Sequence, residues 1–177
     1  MQAKRIERVT RGLTGEVVIP GDKSISHRSV ILAGLAEGPT EIVHWLEAAD
    51  CLSTLGGMKR LGAGIMHRGE GMLTVHGVGW NNLREPESVL DAGNSGTMLR
   101  LLLGALAPQL TTFMGDASLS RRPMGRVIQP LTQMGAKIVG RKGNTLLPIT
   151  LLPAKKSLRG IRYEMPVASA QVKSALL

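Results

Sequence analysis

The sequence repeats itself, and this repeat limits the possible folds more than any other feature. The stretch "MKRLGAGIMHRGEGMLTVHG" (58–77) aligns with "LTQMGAKIVGRKGNTLLPIT" (131–150) at an offset of 73 residues. In both copies the end of a helix leads through Gly-Ala into a short strand, a basic turn with glycine, and a second strand. Because self-similarity at a fixed period indicates one supersecondary unit used more than once, we predict a fold built from copies of this unit.

The segments that open the two copies are also similar. "GDKSISHR" (21–28) lies 72 residues before "GNSGTMLR" (93–100), with glycine first and arginine last in each. Each segment follows an apolar stretch, which in the first copy is a predicted strand at 17–19, and each leads into a helix-like run. The runs are predicted to stop by Gly38 and Pro108, since glycine and proline commonly end helices.

The interior of each copy completes the unit. Strands are predicted at "TEIVHWL" (40–46) and "TTFMG" (111–115), and an amphipathic helix follows each strand. The apolar faces of these helices are Leu52, Leu55, Met58 and Leu61 in the first copy, and Val127, Ile128, Leu131 and Met134 in the second. The unit is therefore strand, helix, strand, helix, strand, strand, which predicts an α/β (α+β) fold of repeated βαβαββ units.

A third copy begins at "GIRYEMPVASAQVKSALL" (160–177), where we predict a strand, a polar loop and the start of a helix. This helix ends on Ser-Ala-Leu-Leu without a cap or a charged last turn. We therefore expect that the chain stops inside its third unit and belongs to a longer protein.

Charge and aromatic content indicate which ligands the chain binds. The 22 Lys and Arg residues outnumber the 13 Asp and Glu residues, and the formal net charge of +9 attracts anions. Nucleic acid is disfavoured, because only two Trp, one Tyr and one Phe are available for base stacking and no run of Lys or Arg exceeds two residues. Small phosphorylated or carboxylated molecules fit this composition better.

The remaining composition favours a soluble cytoplasmic protein with one medium-sized core. No apolar run approaches the roughly 18 residues of a membrane span, and the charged first residues do not resemble a signal peptide. Cys51 is the only cysteine, which excludes an intrachain disulfide and predicts a buried, inert thiol. His44, His67 and His76 lack the mutual spacing of metal ligands, so no metal site is predicted.

Three polar loops occupy equivalent places in successive copies, at 21–28, 93–100 and 168–173. We expect them to converge, because stacked copies of one unit place equivalent loops side by side. Helix N-termini present unpaired N–H groups and a positive dipole, which makes each loop a candidate anion site. The side chains that would add positive charge are Lys23, Arg28, Arg100 and either Arg121 or Arg122.

Several polar and charged residues of these loops also have a simpler structural interpretation, which the sequence leaves open. Serine and threonine before a helix commonly act as N-caps, and a lysine or arginine near a helix start is often only a solvated surface residue. The residues with such alternatives are Asp22, Ser24, Ser26 and Thr97 as turn or cap residues, and Lys23 and Arg100 as surface cations. A P-loop is excluded, because its Gly-Lys pair and the preceding glycine are absent.

Four motifs together resemble a known family. They are "PGDKSISHR" (20–28), "DAGNSGTMLR" (91–100), "DASLSRRPMGRVIQPL" (116–131) and "MPVASAQVKSALL" (165–177). In this order and spacing they are similar to the N-terminal part of the 5-enolpyruvylshikimate-3-phosphate synthase family, and the resemblance covers the entire chain. The sister family that acts on UDP-N-acetylglucosamine typically has Asn after the first-loop lysine and a later reactive cysteine. Here Ser24 follows Lys23, and no cysteine lies within 110–125.

The resemblance implies roles for individual residues. It implies that Lys23 contacts phosphoenolpyruvate and is catalytic, and that Ser24 and Arg28 hold shikimate-3-phosphate. The implied phosphoenolpyruvate-binding residues are Asn94, Gly96, Arg100 and Arg122. The implied residues for the phosphate and ring of shikimate-3-phosphate are Ser169, Ala170 through its backbone, and Gln171. Many members have a second serine where this chain has Ala170, so one phosphate hydrogen bond is expected to be replaced.

The resemblance also implies an activity and an architecture. Enolpyruvyl transfer from phosphoenolpyruvate to the 5-hydroxyl of shikimate-3-phosphate needs no metal or organic cofactor, and family members are usually monomeric. Members have two domains, each with three units around a pseudo-threefold axis, and the active site lies in the cleft. Residues 1–20 are then expected to belong to the other domain, and 21–177 to form an incomplete first domain. The acid and base groups are expected in the half that this sequence lacks, so the chain alone is expected to be inactive.

One alternative comes from a different class of protein. A non-catalytic anion-binding or nucleic-acid-binding module could also use glycine-rich helix starts. A nucleic-acid binder would lose affinity steeply with salt for any polyanion, whereas the predicted site would prefer shikimate-3-phosphate to an equal amount of phosphate.

Overall fold

The fold is described by a computed structural model that covers Arg5, Gly12 and residues 14–107, 109–154 and 157–177. Most of 1–13 and the predicted helix stop at Pro108 lie outside these residues. The elements in chain order are α1 (Lys23–Leu35), β1 (Glu37–Ile42), α2 (Ala49–Arg60), β2 (Gly64–Gly69), β3 (Met72–Val78), β4 (Leu90–Asp91), α3 (Gly96–Ala105), β5 (Thr111–Met114), α4 (Gly125–Met134), β6 (Lys137–Gly140), the single turn α5 (Arg141–Asn144), β7 (Leu146–Leu152) and α6 (Ala170–Leu176). Short 3-10 turns occupy Trp80–Asn82 and Leu119–Arg121.

The first copy of the repeat forms a three-stranded antiparallel sheet in the order β1-β3-β2. Gly38 of β1 lies opposite Gly77 of β3. A Cβ atom on Gly77 would collide with the carbonyl oxygens of Ala33 and Ala36. Glycine at this position therefore allows the end of α1 to lie directly against the sheet.

The second copy forms a four-stranded sheet in the order β4-β5-β7-β6. β4 is parallel to β5, with Leu90 opposite Phe113, and the other pairs are antiparallel. Both of these side chains are fully buried. The order β4, α3, β5, α4, β6, β7 is the complete βαβαββ unit, so the predicted α/β (α+β) unit is confirmed.

The two strand-connecting turns contain the conformations that their sequences predicted. In the first turn Gly69 and Gly71 have φ of 148° and 63°, and in the second Lys142, Gly143 and Asn144 have φ between 45° and 66°. Positive φ is accessible to glycine and tolerated by asparagine, which explains the composition of both turns.

The helix α6 of the third copy packs closely against α3. A Cβ atom on Gly104 of α3 would collide with the backbone carbonyl of Ala175 in α6. Ala175 and Val172 are buried, so one side of α6 belongs to the hydrophobic core. This close approach brings the start of α6 beside the start of α3.

Three predicted strand positions differ from the structure. Residues 17–19 form no strand, and their side chains are 74% to 91% exposed. A strand needs a partner for its backbone hydrogen bonds, and among the described residues none pairs with this segment. The strand predicted at 40–46 is β1, which ends at Ile42, because His44 has a φ of 54° and leaves the extended conformation. The strand predicted at the start of 160–177 is also wrong, since residues 157–169 contain none.

The alignment of the opening segments at an offset of 72 is wrong by one residue. α1 begins at Lys23 and α3 begins at Gly96, which is an offset of 73 and agrees with the offset of the hairpins. The matching glycines and arginines of the two segments favoured the wrong register. In the structure the equivalent of Arg100 is His27, and Arg28 is equivalent to Leu101.

Candidate active site

The start of α1 is capped by Asp22. The backbone N–H of Ile25 donates to Asp22 Oδ1 over 2.8 Å. Asp22 is therefore the N-cap of α1, which was one of the roles that the sequence left open for it. Ser24 and Ser26 lie inside the helix, so the alternative that they cap it is wrong. Ser26 Oγ instead accepts a hydrogen bond from the backbone N–H of Leu46 over 2.9 Å, which holds the segment after β1 against α1.

Lys23 takes part in a side-chain cluster between α1 and α2. Its Nζ lies 3.2 Å from Asp50 Oδ2, although 57% of the lysine side chain is exposed. The same oxygen lies 3.6 Å from Nε2 of His27, whose Nδ1 lies 2.6 Å from Thr54 Oγ1. The sequence analysis missed this cluster, because no motif spacing relates the two helices and only the tertiary fold brings them together.

Burial and charge set the protonation of this cluster. Burial lowers the pKa of His27 below its ordinary value of 6.5, although the carboxylate of Asp50 opposes the shift. Burial raises the pKa of Asp50, but the hydrogen bond and charge of Lys23 outweigh it, and the net pKa lies below the ordinary 3.8. At neutral pH the imidazole is therefore neutral and the carboxylate is charged.

Cys51 is buried, as predicted, and burial raises the pKa of its thiol to about 11. One ligand atom each from His27, Asp50 and Cys51 lie within 4.8 Å of one another, a spacing that could hold a metal ion. This donor set fits a metal poorly, because the thiol stays protonated at neutral pH and the carboxylate oxygen already faces the ammonium of Lys23.

The start of α3 is capped by Ser95, whose Oγ accepts a hydrogen bond from the backbone N–H of Met98 over 3.1 Å. Asn94 is exposed, and its carbonyl accepts from the N–H of Gly96 over 3.1 Å. Gly96 is buried at the first position of the helix, and a Cβ atom there would lie 2.7 Å from Arg100 Nη1. The absent side chain leaves room for the arginine to lie back over the helix start.

Gln171 of α6 connects two of the predicted residues of α3. Arg100 Nη1 donates to Gln171 Oε1 over 3.1 Å and to the carbonyl of Gly96 over 3.2 Å. Gln171 Nε2 donates to Thr97 Oγ1 over 3.0 Å. Thr97 is therefore an acceptor for Gln171 and not a cap, and Arg100 is a half-buried, hydrogen-bonded residue and not a solvated one.

The start of α6 completes the arrangement. Ser169 Oγ accepts from the backbone N–H of Val172 over 3.2 Å and caps the helix, and the exposed Ala170 follows it. One turn further, Ser174 Oγ accepts from Arg28 Nη2 over 3.2 Å. Side chains of α6 thus bind arginines of both α1 and α3, so the three loops meet as predicted.

Two further arginines lie close enough to act on Arg100. Burial lowers the pKa of Arg100, and the positive charges of Arg122 and Arg126 lower it further. The guanidinium of Arg122 donates to Ser118 Oγ over 3.0 Å. Arg126, the second residue of α4, was missed by the sequence analysis. Within the described part of the chain no carboxylate forms an ion pair with these three arginines, so the cluster is suited to anionic groups.

Comparison with known proteins shows the family. A family model described as EPSP synthase (3-phosphoshikimate 1-carboxyvinyltransferase) matches residues 8–177. The chain belongs to the EPSP synthase family. The resemblance carried by the four sequence motifs is thereby confirmed.

Relatives of the EPSP synthase family match nearly the whole chain. A 3-phosphoshikimate 1-carboxyvinyltransferase of Bacillus cereus (strain AH187) is 50% identical over 179 residues, which cover 100% of this chain and 41% of that protein. One from Listeria welshimeri is 48% identical over 169 residues, covering 94% of this chain and 39% of that protein. The chain thus spans about two fifths of the length of these relatives.

Solved structures match the fold as well as the sequence. The EPSP synthase of Acinetobacter baumannii has a TM-score of 0.87 and 44% sequence identity to this chain. The match covers 92% of this chain and 37% of that one. The repeated α/β units described above are therefore the fold of an EPSP synthase over the matched part.

Among the helices of the described residues, none combines the length and the apolar character that crossing a membrane requires.

Proposed function

We propose that this chain acts as part of a complete enzyme that transfers the enolpyruvyl group of phosphoenolpyruvate to the 5-hydroxyl of shikimate-3-phosphate, with release of phosphate. Family membership and 50% identity to a named 3-phosphoshikimate 1-carboxyvinyltransferase support this activity. The 177 residues span about two fifths of such a relative, so the chain supplies one side of the site and is inactive alone.

The observation that carries the proposal is the arginine cluster around Arg100. This guanidinium is half-buried and held by Gln171, while Arg122 and Arg126 add positive charge beside it. Placing like charges together and partly out of water is unfavourable unless an anion compensates them. Phosphate and carboxylate groups, both present in each proposed substrate, match the planar donors of arginine.

The two substrates divide between the loops. Asn94, Gly96, Arg100 and Arg122 bind phosphoenolpyruvate around the start of α3. Ser24 and Arg28 of α1 bind shikimate-3-phosphate together with three residues of the third loop, Ser169, Ala170 and Gln171. The hydrogen bonds of Arg28 with Ser174 and of Arg100 with Gln171 support this division, because they place α6 between the two binding regions.

The reaction brings two anions together. The 5-hydroxyl gives up its proton as its oxygen adds to C2 of phosphoenolpyruvate and C3 takes a proton. The C2–O bond to phosphate then breaks as C3 loses a proton, and phosphate leaves. Lys23 contacts phosphoenolpyruvate, and its positive charge stabilises the departing phosphate. The groups that move protons lie in the part of the enzyme outside these 177 residues.

The remaining features follow from the same family. Residues 1–20 belong to the second domain, residues 21–177 to the first, and the complete enzyme is a cytoplasmic monomer. The exposed apolar side chains of Val17, Val18 and Ile19 support this division, because they are not covered by the rest of the described chain.

The test compares two arginine variants of the complete enzyme. Arg100→Gln should raise the KM for phosphoenolpyruvate about tenfold or more, because a charge-assisted contact worth at least about 1.4 kcal/mol is lost. Arg162→Gln is the matched control, since this side chain is 93% exposed and its guanidinium lies 3.6 Å from the carboxylate of Glu164. Phosphate release should require both substrates. No release from the wild type with both present, or equal effects of the two variants, would contradict the proposal.

A further inference from the structure

The buried His27 has no role in the reaction proposed above. Its side chain is fully buried between α1 and α2. Nδ1 lies 2.6 Å from Thr54 Oγ1, and Nε2 faces Asp50 Oδ2 at 3.6 Å without a closer partner in the described residues. A buried polar ring with two defined neighbours is unusual enough to need a physical reason.

The two neighbours determine the tautomer of His27. The carboxylate of Asp50 can only accept hydrogen bonds, whereas the hydroxyl of Thr54 can donate one. A lone pair on Nε2 would face the negative carboxylate, which is unfavourable at this separation. The consistent arrangement has the proton on Nε2, directed at Asp50, and Nδ1 accepting from Thr54, whose hydroxyl lies 2.6 Å from the ring but 3.4 Å from its other acceptor, the backbone carbonyl of Asp50. The ring is neutral in this state, in agreement with the lowered pKa that burial gives it.

The carboxylate of Asp50 is held on both sides. Its Oδ1 accepts a hydrogen bond from the backbone N–H of Cys51 over 3.1 Å, at the start of α2. Its Oδ2 faces His27 Nε2 and Lys23 Nζ, the latter at 3.2 Å. The ammonium of Lys23 therefore forms an ion pair with the Asp50 carboxylate, whose orientation is itself fixed, although most of the lysine side chain is exposed to solvent.

We propose that His27 and Asp50 are positioning residues for Lys23: the imidazole, anchored by Thr54, orients the Asp50 carboxylate, which sets the place where the ammonium meets the anionic substrate. This inference rests on the proposed function, in which Lys23 contacts phosphoenolpyruvate. An exposed lysine samples many rotamers, and a fixed carboxylate restricts them before the substrate arrives.

The second copy of the repeat shows that the fold itself does not require this pair. At the offset of 73 the positions equivalent to His27 and Asp50 carry Arg100 in α3 and Pro123 just before α4. The equivalent helices α3 and α4 therefore pack without a histidine and a carboxylate in these places. Of the first two copies, the one whose helix begins with Lys23 carries the histidine and the aspartate, which links them to the lysine.

Two substitutions of His27 separate positioning from packing. The amide nitrogen of glutamine can reach the place of Nε2, whereas asparagine can replace only the group near Thr54. In the complete enzyme we expect His27→Asn to lower kcat about tenfold or more with less than about a threefold change in KM. His27→Gln should keep kcat within about threefold of the wild type. Equal losses in both variants, or full activity of His27→Asn, would overturn the proposal.

Substitutions of Asp50 and Thr54 provide a second pair of tests, which leave the buried imidazole of His27 in place. Asp50→Asn should lower kcat without raising the KM for phosphoenolpyruvate, because the carboxylate that repels the anionic substrate is also removed. Thr54→Ser keeps the hydroxyl and should preserve kcat, whereas Thr54→Val should lower it in the same way as His27→Asn. A rise in KM with unchanged kcat for Asp50→Asn would show that Asp50 acts in binding, and would overturn positioning.

The tautomer can be measured on the 177-residue chain without any activity. Nitrogen-15 NMR of the imidazole should show His27 neutral at pH 7, with the proton on Nε2. An Nδ1-protonated ring, or a charged ring at this pH, would overturn the proposed arrangement. If the tautomer is found but the complete wild-type enzyme does not release phosphate, the proposed function fails. If the wild type is active and His27→Asn equals it, only the positioning role fails.

Discussion

The first two copies of the repeat share one fold but differ in the charges between their paired helices. His27 in α1 and Arg100 in α3 occupy the same position relative to the helix start. The helix that follows supplies a charged neighbour in each copy, Asp50 of α2 for His27 and Arg126 of α4 for Arg100. The first copy therefore places a carboxylate beside its lysine and a neutral ring, whereas the second places two guanidinium groups near each other.

Under the function and the positioning role proposed above, this difference gives the two copies separate tasks. In the first copy the charge of Lys23 is already balanced by Asp50, so the copy contributes an oriented cation. In the second copy no carboxylate pairs with Arg100 among the described residues, so the copy contributes net attraction for anions. A repeated backbone unit thus supports different chemistry, because the side chains near its helix starts differ between the copies while the backbone elements are retained.

A second difference lies at the first strand of each unit. Leu90 of β4 is fully buried and pairs with β5, whereas Val18, in the corresponding region of the first copy, is 91% exposed. The first sheet therefore has three strands and the second has four. Within the described residues, the first unit thus has its helices and its hairpin although no strand precedes α1.

The largest expected effect concerns Lys23 as the oriented cation of the first copy. Lys23→Met in the complete enzyme should lower turnover about a hundredfold or more, because a charge that stabilises the departing phosphate is lost. Lys59→Met, at an exposed lysine in the last turn of α2, is the matched control and should leave turnover unchanged. Steady-state phosphate release measures both variants. Turnover of Lys23→Met within about threefold of the control would make Lys23 an ordinary surface residue.

A smaller effect is expected from Gly96 in the second copy. The new methyl group of Gly96→Ala would lie 2.7 Å from Arg100 Nη1 and displace the guanidinium from Gln171. We expect the KM for phosphoenolpyruvate to rise about three- to tenfold, a loss of about 0.7 to 1.4 kcal/mol of binding. Gly56→Ala is the control, because a Cβ atom at that helical glycine meets nothing within 4 Å. An unchanged KM in the Gly96 variant would separate the arginine cluster from the substrate.

The smallest effect is a pH dependence of the chain's stability that comes from His27 in the first copy. The pKa of His27 is lowered in the folded chain, mainly by burial, so the unfolded chain takes up a proton first as pH falls. Stability from this group is therefore complete above about pH 6.5 and decreases below it, by at most about 1.4 kcal/mol per pH unit. Urea unfolding should show this slope in the wild type.

His27→Gln is the control for that slope, since the other three histidines are present in both proteins. As pH decreases from 7 to 5, the unfolding free energy of the wild type should fall relative to that of the variant. A constant difference across this range would mean that His27 takes up its proton equally in both states.

The sequence predicted the features that depend on local patterns. The period of the repeat, the glycine-rich turns and the buried Cys51 follow from residue type and spacing, and the structure contains all of them. Asp22 had two open interpretations, and the hydrogen bond from Ile25 decided between them. The positions of Lys23 and Arg100 near helix starts were also predictable, since each lies in a polar segment that leads into a helix-like run.

The features that the sequence did not predict depend on contacts between distant segments. His27 and Asp50 meet only because α1 packs on α2, and Arg126 reaches Arg100 only because α4 lies beside α3. The sequence also did not predict that 17–19 pair with no strand of the described residues, because an apolar run indicates a strand but not whether a partner is present. The register error of one residue arose because matching glycines and arginines outweighed the helix caps.

The most direct measurement is the KM for phosphoenolpyruvate after a carboxylate, as found beside His27 in the first copy, is introduced beside Arg100 in the second. Arg126→Asp in the complete enzyme puts a negative charge beside Arg100, and Arg162→Asp makes the same change in net charge at an exposed site away from the cluster. We expect Arg126→Asp to raise the KM for phosphoenolpyruvate about tenfold or more, and Arg162→Asp to change it less than about twofold. Equal KM values for the two variants would contradict the conclusion that the uncompensated arginines of the second copy bind the anionic substrate.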